Sequence, residues 1–479
     1  MIRTMLPRLR SVLSFPVLTA GLALAAWTAL PAGRPGPAAF QVRAEAPLQT
    51  MAGFGAGFNE ATEECLQAIH SAEDRARAYD LLYGDSGARL NIVRLKVSPH
   101  ARPRPGAAPS DAAAWSGKYD WASDVDTQRT WQAIRPVLEK TRPVLYAVPF
   151  TPPVRWKTNG QLSGGSLKRE DYRAYAEYLC DFLAYCRGPL GAGIDALSLQ
   201  NEPGVAAPWQ SCLWTGTELR DFIKIAAPLI RAAGLKTRIM LSEGTSWSGA
   251  WEHLLPTLQD PEARGFLNIM ASHSYGSPGD AARRSFAAAS GRNGLPVWMS
   301  EMSLMEPPAP DDPGMPAAIR IARYIHRDLV EGRASAWIFC FAIFRSSFPG
   351  SMGVLAPADG SGSRQGALVV PKRFWAMAHY SRFVRPGWAV VGVDGAGADN
   401  TAFIDPQGDG FVVVAVNPED KAVPAAYDFG VRTISAVRAF VTTKDLDLAE
   451  AASPEARDHG FSALLPPRSV TTFAGGLGR

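Results

Sequence analysis

The 479-residue sequence predicts an α/β protein, a (β/α)8 TIM barrel with a small antiparallel β-sandwich side domain. Two observations favour this fold. From residue 51 to residue 385, short apolar strand-like runs alternate with helix-like segments, and eight such runs occur. After residue 386, strand-like runs follow one another through turns with no long helix between them. A chain of this length can hold a barrel of about 250 residues and a smaller second domain.

The N-terminal residues are typical of a targeting segment. Arg3, Arg8 and Arg10 precede an apolar run over residues 12–30 that ends near small residues. Residues 1–33 are therefore interpreted as a signal peptide, and an uncleaved signal anchor is the alternative because the run approaches the length of a membrane span. We expect a secreted or periplasmic protein that contacts a membrane only if the segment is uncleaved. Residues 34–50 form a linker and a lone strand at 39–46, which could complete the side domain.

The strand and helix assignments in the barrel region follow from apolar runs and their ends. Strands buried on both faces are short apolar runs that end in polar, glycine or proline residues. Such runs occupy residues 52–58, 90–97, 143–150, 194–200, 238–243, 267–273, 296–301 and 334–343. Helical patterns occupy residues 127–141, 168–186, 215–233, 316–331 and 371–383. Thr215 followed by Glu218 predicts a capping box at the start of one of them.

The C-terminal region, residues 386–479, is assigned to the side domain. Its strand-like runs are residues 389–393, 401–404, 411–416, 433–442 and 469–474. Residues 406–410, Pro-Gln-Gly-Asp-Gly, predict a hairpin turn between two of them.

Composition excludes several classes of protein. A hydrophobic content of 47% excludes a disordered chain, and a net charge of +4 without a basic cluster argues against a nucleic-acid partner. The sequence contains neither a G-x-x-x-x-G-K-[ST] loop nor an H-E-x-x-H motif. We therefore predict no nucleotide, no metal and no other cofactor.

Two glutamates follow predicted barrel strands. Glu202 lies in Asn201-Glu202-Pro203 after the fourth strand, and Glu301 ends the seventh. The active site of a parallel barrel lies at the carboxyl ends of its strands, so both side chains are expected at the same mouth. Glycosidic cleavage needs one carboxylic acid and one carboxylate on either side of the bond. The pair predicts a glycosidase, although either glutamate alone could be a helix cap or an ion-pair partner.

Several segments, in order, resemble glycoside hydrolase family 30. They are residues 53–58, 151–153, 156–160, 200–203, 211–216, 381–388 and 465–472, and the resemblance covers nearly all of the chain after the signal segment. It implies a retaining β-glycosidase in which Glu202 is the acid/base and Glu301 the nucleophile. The implied substrate is a polysaccharide or another β-glycoside, cleaved by an endo-xylanase or endo-β-1,6-glucanase type of enzyme. An exo-acting β-glucosidase or glucosylceramidase and a non-catalytic carbohydrate-binding protein are the alternatives.

Further substrate-binding candidates surround this pair. Asn201 is placed to bind the sugar 2-OH, Arg94 to hold Glu301 ionised, and Tyr275 to position Glu301. His273 ends the sixth strand and is interpreted as a pocket residue. Two tryptophans are candidate platforms on which a sugar ring could stack, with core packing as the alternative for each; they are Trp156 and Trp337.

Overall fold

The computed structural model describes residues 38–104, 117–276, 280–304, 313–345, 353–358, 366–396 and 398–478. The predicted signal segment, residues 1–33, lies outside these ranges, so its cleavage stays a prediction. Among the helices of the described ranges, none has the length and apolar character needed to cross a membrane.

The first strand, β1 (Ala38–Thr50), belongs to the side sheet and leads into a closed barrel of eight parallel strands, β2–β9. The barrel strands are β2 (Gly53–Phe58), β3 (Ile92–Val97), β4 (Val144–Pro149), β5 (Ala196–Ser198), β6 (Arg238–Gly244), β7 (Ile269–His273), β8 (Val297–Met302) and β9 (Ala334–Phe339). Parallel pairing of β2 with β9 closes the barrel. The predicted barrel is therefore confirmed, and the strand bounds lie within four residues of those expected.

Alternate residues of these strands fill the barrel interior. Ile92, Tyr146 and Ile269 pack there around the large indole of Trp298. The residues between them face outward and pack against the surrounding helices, so both faces of each strand are buried. This alternation fixes which side chains of each strand can reach the mouth.

Ten helices lie in the described ranges, and five of them match the predicted helical segments. They are α1 (Glu60–Gln67), α2 (Ala72–Tyr83), α3 (Val125–Lys140), α4 (Tyr172–Arg187), α5 (Gly216–Ala232), α6 (Trp247–Gln259), α7 (Pro261–Phe266), α8 (Asp280–Asn293), α9 (Met315–Val330) and α10 (Lys372–Ser381). The capping box is present, since the Thr215 hydroxyl accepts from the Glu218 N–H and the Glu218 carboxylate accepts from the Thr215 N–H.

The predicted last barrel run, residues 334–343, divides in two. After β9 the chain continues as β10 (Phe341–Ile343), which pairs with β11 (Gly353–Pro357) and through it with β12 (Leu368–Val369). The break lies at Cys340, whose backbone N–H donates to the Met302 carbonyl of β8 (2.9 Å).

The side domain is one continuous ten-stranded sheet in which β1 lies between β13 and β16. Its remaining strands are β13 (Ala389–Asp394), β14 (Asp399–Ile404), β15 (Gly410–Asn417), β16 (Val423–Asp428), β17 (Thr433–Thr442), β18 (Ala449–Ala451), β19 (Ala456–Arg457), β20 (Gly460–Leu465) and β21 (Ser469–Gly478). Phe411 of β15, Phe461 of β20 and Phe473 of β21 share one core, so the sheet folds over itself as a sandwich. The pair of β1 and β16 is parallel, so the domain is not wholly antiparallel.

Candidate active site

Glu202 and Glu301 meet at the carboxyl ends of the barrel strands. Glu301 lies in β8, whereas Glu202 follows β5 by four residues and has a left-handed backbone conformation with φ of +45°. The Glu202 N–H donates to the backbone carbonyl of Glu243 (3.0 Å), which fastens this turn to the end of β6. One carboxylate oxygen of each glutamate and a ring nitrogen of His273 all lie within 4.8 Å of one another. The two carboxyl groups therefore face each other across a short gap.

Arg94 of β3 connects the two glutamate-bearing segments. Its guanidinium contacts Glu301 Oε2 from Nη1 (2.8 Å) and donates from Nη2 to Asn201 Oδ1 (2.6 Å). Its Nε donates to the Tyr146 hydroxyl (2.6 Å), and the whole side chain is buried. Asn201 precedes Glu202, so one side chain contacts both the nucleophile candidate and the side chain next to the acid/base candidate.

The surroundings of Glu301 favour its ionised form. Burial raises the pKa of Glu301, but Arg94, His273 and the Tyr275 hydroxyl outweigh burial and lower it. The Tyr275 hydroxyl donates to Glu301 Oε1 at 2.8 Å, and Arg94 occupies the other oxygen. Both contacts are those expected from the sequence, and they leave a carboxylate that is anionic at neutral pH.

His273 is fully buried among three carboxylates. Its Nδ1 lies 3.1 Å from Glu202 Oε1 and 4.0 Å from Glu301 Oε1, and its Nε2 lies 3.7 Å from Glu243 Oε1. Burial lowers the pKa of His273, but the three carboxylates outweigh burial and raise it to about 9. The imidazole is therefore a cation at neutral pH that joins the acid/base candidate to the rest of the site.

Glu243 is the third carboxylate of the cluster around His273. It ends β6 with φ of +53° and is fully buried. Its Oε1 accepts from the Tyr146 hydroxyl (2.5 Å). Burial raises the pKa of Glu243, but His273 and Arg94 lower it to about 2. Glu243 thus supplies a fixed negative charge close to His273 and Arg94, and its position at the end of the predicted strand 238–243 marks it in the sequence as a residue that supports the site.

Neither tryptophan predicted to stack on a sugar is available for that role. Trp337 lies between Ala336 and Ile338, which face the barrel interior, so Trp337 faces outward and donates from Nε1 to Asp328 of α9 (3.0 Å). Trp156 is covered by the Arg155 guanidinium, 4.1 Å from the ring centre, and packs against neighbouring tyrosines. Both predictions of a sugar platform are wrong because both rings are used in packing.

A cavity of about 460 Å³ opens above the two glutamates. Its wall includes Asn201, Glu202, Tyr275 and Glu301, together with Trp209. Further lining residues come from the first, second, third, seventh and eighth strand ends and from α9, and include Glu60, Lys96, Phe150, Met302, Tyr324, Phe341 and Phe344. Trp209 is 46% exposed and lies in the loop after β5. It is the exposed indole that sequence reasoning missed.

Glu202, His273 and Glu301 are also near enough to one another to share a metal ion. His273 already hydrogen-bonds to Glu202 (3.1 Å), and Arg94 and Tyr275 already contact Glu301. We interpret the three as an acid–base cluster, and the absence of a metal cofactor stays a prediction.

Comparisons with known proteins support the resemblance noted above. The model of the glycosyl hydrolase family 30 TIM-barrel domain matches residues 51–288. Glucuronoxylanase XynC of Bacillus subtilis is 28% identical over 361 residues, which cover 74% of this chain and 78% of that protein. Endo-1,6-beta-D-glucanase of Neurospora crassa is 26% identical over 241 residues, 48% of each chain. The solved structure of the family 30 subfamily 8 xylanase Xyn30A from Clostridium acetobutylicum is 26% identical with a TM-score of 0.71, covering 91% of this chain and 99% of that one. The chain belongs to glycoside hydrolase family 30 and is an O-glycosyl hydrolase.

Proposed function

We propose that this protein is a retaining endo-glycanase that cleaves β-linkages in a polysaccharide of the xylan or β-1,6-glucan type. Similarity to a glucuronoxylanase and to an endo-1,6-β-glucanase supports this choice of substrates. The observation that carries the mechanism is the short gap between Glu202 and Glu301, whose carboxylate oxygens approach within 4.8 Å. Retaining glycosidases hold their carboxyl groups about 5–5.5 Å apart, whereas inverting enzymes leave room for a water molecule between them.

The first step assigns one role to each glutamate. Glu301 attacks the anomeric carbon and forms a glycosyl ester, while Glu202 gives a proton to the departing glycosidic oxygen. Arg94 and Tyr275 keep Glu301 anionic and aimed before the attack, because each contacts a different carboxylate oxygen. Asn201, held by Arg94, is proposed to bind the 2-hydroxyl of the reacting sugar.

The second step returns the enzyme to its starting state. Glu202, now a carboxylate, removes a proton from water, and the resulting hydroxide attacks the anomeric carbon and releases Glu301. Two displacements at the same carbon retain its configuration. His273 contacts Glu202 and is proposed to position that carboxyl group through both steps.

Two substitutions test the roles. Glu301→Gln should abolish cleavage of every substrate. Glu202→Gln should cripple cleavage of natural glycans yet spare 2,4-dinitrophenyl β-glycosides, because that leaving group needs no proton. Equal losses in the two variants on the activated substrate would refute the assignment. Proton NMR of the first anomer released by the wild type tests retention.

A product assay tests the substrate class. The purified protein is incubated with glucuronoxylan, β-1,6-glucan, β-1,3-glucan, an arabinogalactan and glucosylceramide, with Glu301→Gln as the control. Oligosaccharides from one polymer, absent in the control, would support an endo-glycanase and identify its linkage. Release of monosaccharides alone would favour the exo-acting alternative, and glycan binding without cleavage would favour a carbohydrate-binding protein.

We also propose that the protein acts outside the cytoplasm. The basic and then apolar pattern over residues 1–33 supports export. Mass spectrometry of the protein purified from its native host tests this, because cleavage would shorten the chain near residue 33. A full-length mass in a washed membrane fraction would favour the signal anchor.

A further inference from the structure

One wall of the cavity carries an ion pair that the proposed reaction does not use. Glu60 begins α1 directly after β2, and Lys96 lies in β3, two residues beyond Arg94. Alternate residues of a strand face the same side, so Lys96 points to the mouth about 7 Å further along than Arg94. Lys96 Nζ donates to Glu60 Oε1. The pair therefore borders the space just above the Arg94 contact with Glu301.

The ion pair leaves hydrogen-bonding capacity unused. The Lys96 side chain is only 7% exposed and the Glu60 side chain 22%. Within the described part of the chain, Lys96 is the hydrogen-bond donor found for the Glu60 carboxylate, which can accept further hydrogen bonds. An ammonium group has three donor hydrogens, and the contact with Glu60 uses one of them. An acceptor and donors thus lie side by side on the cavity wall.

Adjacent hydroxyl groups of a sugar ring match this arrangement. Each hydroxyl can donate one hydrogen bond and accept others, so one can donate to the partly exposed Glu60 carboxylate while its neighbour accepts from Lys96 Nζ. Both hydrogen bonds would involve a charged group, and such bonds are stronger than neutral ones.

An acidic sugar suits the same wall poorly. A uronate carboxylate would have to compete with Glu60 for Lys96, and it would also be repelled by the negative charge of Glu60.

We propose that Glu60 and Lys96 form a subsite that binds two adjacent hydroxyl groups of an uncharged sugar unit and disfavours a uronic acid at that position. This inference rests on the proposed glycanase function and adds the substrate class of one subsite. It assigns to the pair a role in specificity, while Glu202 and Glu301 carry the reaction.

The test compares one neutral oligosaccharide that the wild type cleaves with its analogue carrying a single uronic acid unit. Glu60→Gln should lower kcat/KM for the neutral substrate by about ten- to a hundredfold, mainly through KM, because a charged acceptor is lost. It should also reduce the preference for the neutral substrate, since Lys96 then lacks its competing carboxylate. Lys96→Gln should lower the neutral kcat/KM but maintain or increase that preference, because Glu60 keeps its charge.

A matched control lies on the same helix. Glu64 of α1 does not line the cavity and forms an exposed ion pair with Arg129 (2.7 Å). Glu64→Gln should keep wild-type rates on both substrates. If Lys96→Gln does not fold, Glu60→Gln still decides the outcome, and Lys96→Arg should retain the preference.

Two results would overturn the inference. The first is that the wild type cleaves the substrates but Glu60→Gln leaves the ratio of kcat/KM for the neutral and acidic substrates unchanged. The ion pair would then be only a structural contact. Equal changes of the ratio in Glu60→Gln and Lys96→Gln, in the same direction, would contradict the charge argument. Failure of the wild type to cleave any glycan would instead reject the proposed function on which the subsite depends.

Discussion

The pH dependence of stability is the most direct physical test of the buried histidine at the site. His273 has a pKa of about 9, against an ordinary value of 6.5, because burial is outweighed by three carboxylates. A difference of about 2.5 units corresponds to about 3 kcal/mol of stability. The folded pKa lies above the unfolded one, so this contribution is fully present below pH 6.5 and is lost as the pH rises to about 9. His273→Gln removes it.

A second buried histidine provides a control of opposite sign. His379 bonds to Thr472 (2.8 Å) and Thr442 (2.9 Å), has no carboxylate partner in the described residues, and burial lowers its pKa to about 3. Its folded pKa lies below the unfolded one. The neutral ring therefore contributes fully above pH 6.5, and the contribution falls as the pH falls toward 3. As the pH rises, His379→Gln should lose as much stability as the wild type. As the pH falls toward 3, His379→Gln should lose less stability than the wild type.

Thermal unfolding followed by circular dichroism measures both effects. Given the entropy of unfolding expected for a chain of this size, a loss of about 3 kcal/mol of stability lowers Tm by roughly 3–4 °C. The Tm gap between wild type and His273→Gln should be largest near pH 6 and narrow by that amount toward pH 9.5. A gap that stays constant over this range would refute the reasoning, because it would mean that His273 does not lose a proton between the two pH values.

Three further predictions concern single side chains. Trp209→Ala should raise KM for oligosaccharides about tenfold in steady-state kinetics, because an exposed indole on the cavity wall is worth about 1–1.5 kcal/mol as a stacking surface; an unchanged KM would remove it from the binding site. Asp328→Ala should lower the free energy of unfolding by about 3–5 kcal/mol in urea titrations, because it leaves the buried Arg283, now 2.9 Å from Asp328, without a counter-charge; a loss below 1 kcal/mol would contradict this. Thr215→Ala should cost about 1 kcal/mol by removing the cap of α5, with kcat unchanged; a fall in kcat would point to an effect on the active site.

The barrel could be predicted because each of its strands has a clear signal in the sequence. Each is a short apolar run buried on both faces, and each predicted run overlaps an observed strand. The helices that sequence reasoning missed lack a comparable signal. α8, for example, is rich in alanine and arginine, and α1 carries three glutamates in eight residues, so neither shows a continuous apolar stripe. Their positions follow from the barrel topology, which requires a crossover between parallel strands.

The candidate site was predictable where chemistry coincides with a strand end. The sequence places Glu202, Glu301, Arg94 and Tyr275 at the mouth of the barrel. In the structure Arg94 and Tyr275 contact Glu301, and Glu202 lies within 4.8 Å of it. The prediction for Trp337 was wrong because the position of a strand end does not reveal which of its residues face the barrel interior. A shift of one residue exchanges the two faces, and residues 334–339 contain no charged residue that would mark the inner one.

The geometry of Arg94 explains why neither glutamate can be understood from its own strand. Ile92 faces the barrel interior, so Arg94, two residues later, does too, and its guanidinium reaches Glu301 and Asn201 together. The planar guanidinium group of Arg94 can hold two partners at fixed angles. A lysine ammonium group at this position could neutralise Glu301 without fixing Asn201. The position of Glu301 relative to Asn201, which precedes Glu202, therefore depends on a third strand that carries neither glutamate. The short gap that favours retention is a property of β3, β5 and β8 packed in one barrel, and no single segment of the sequence encodes it.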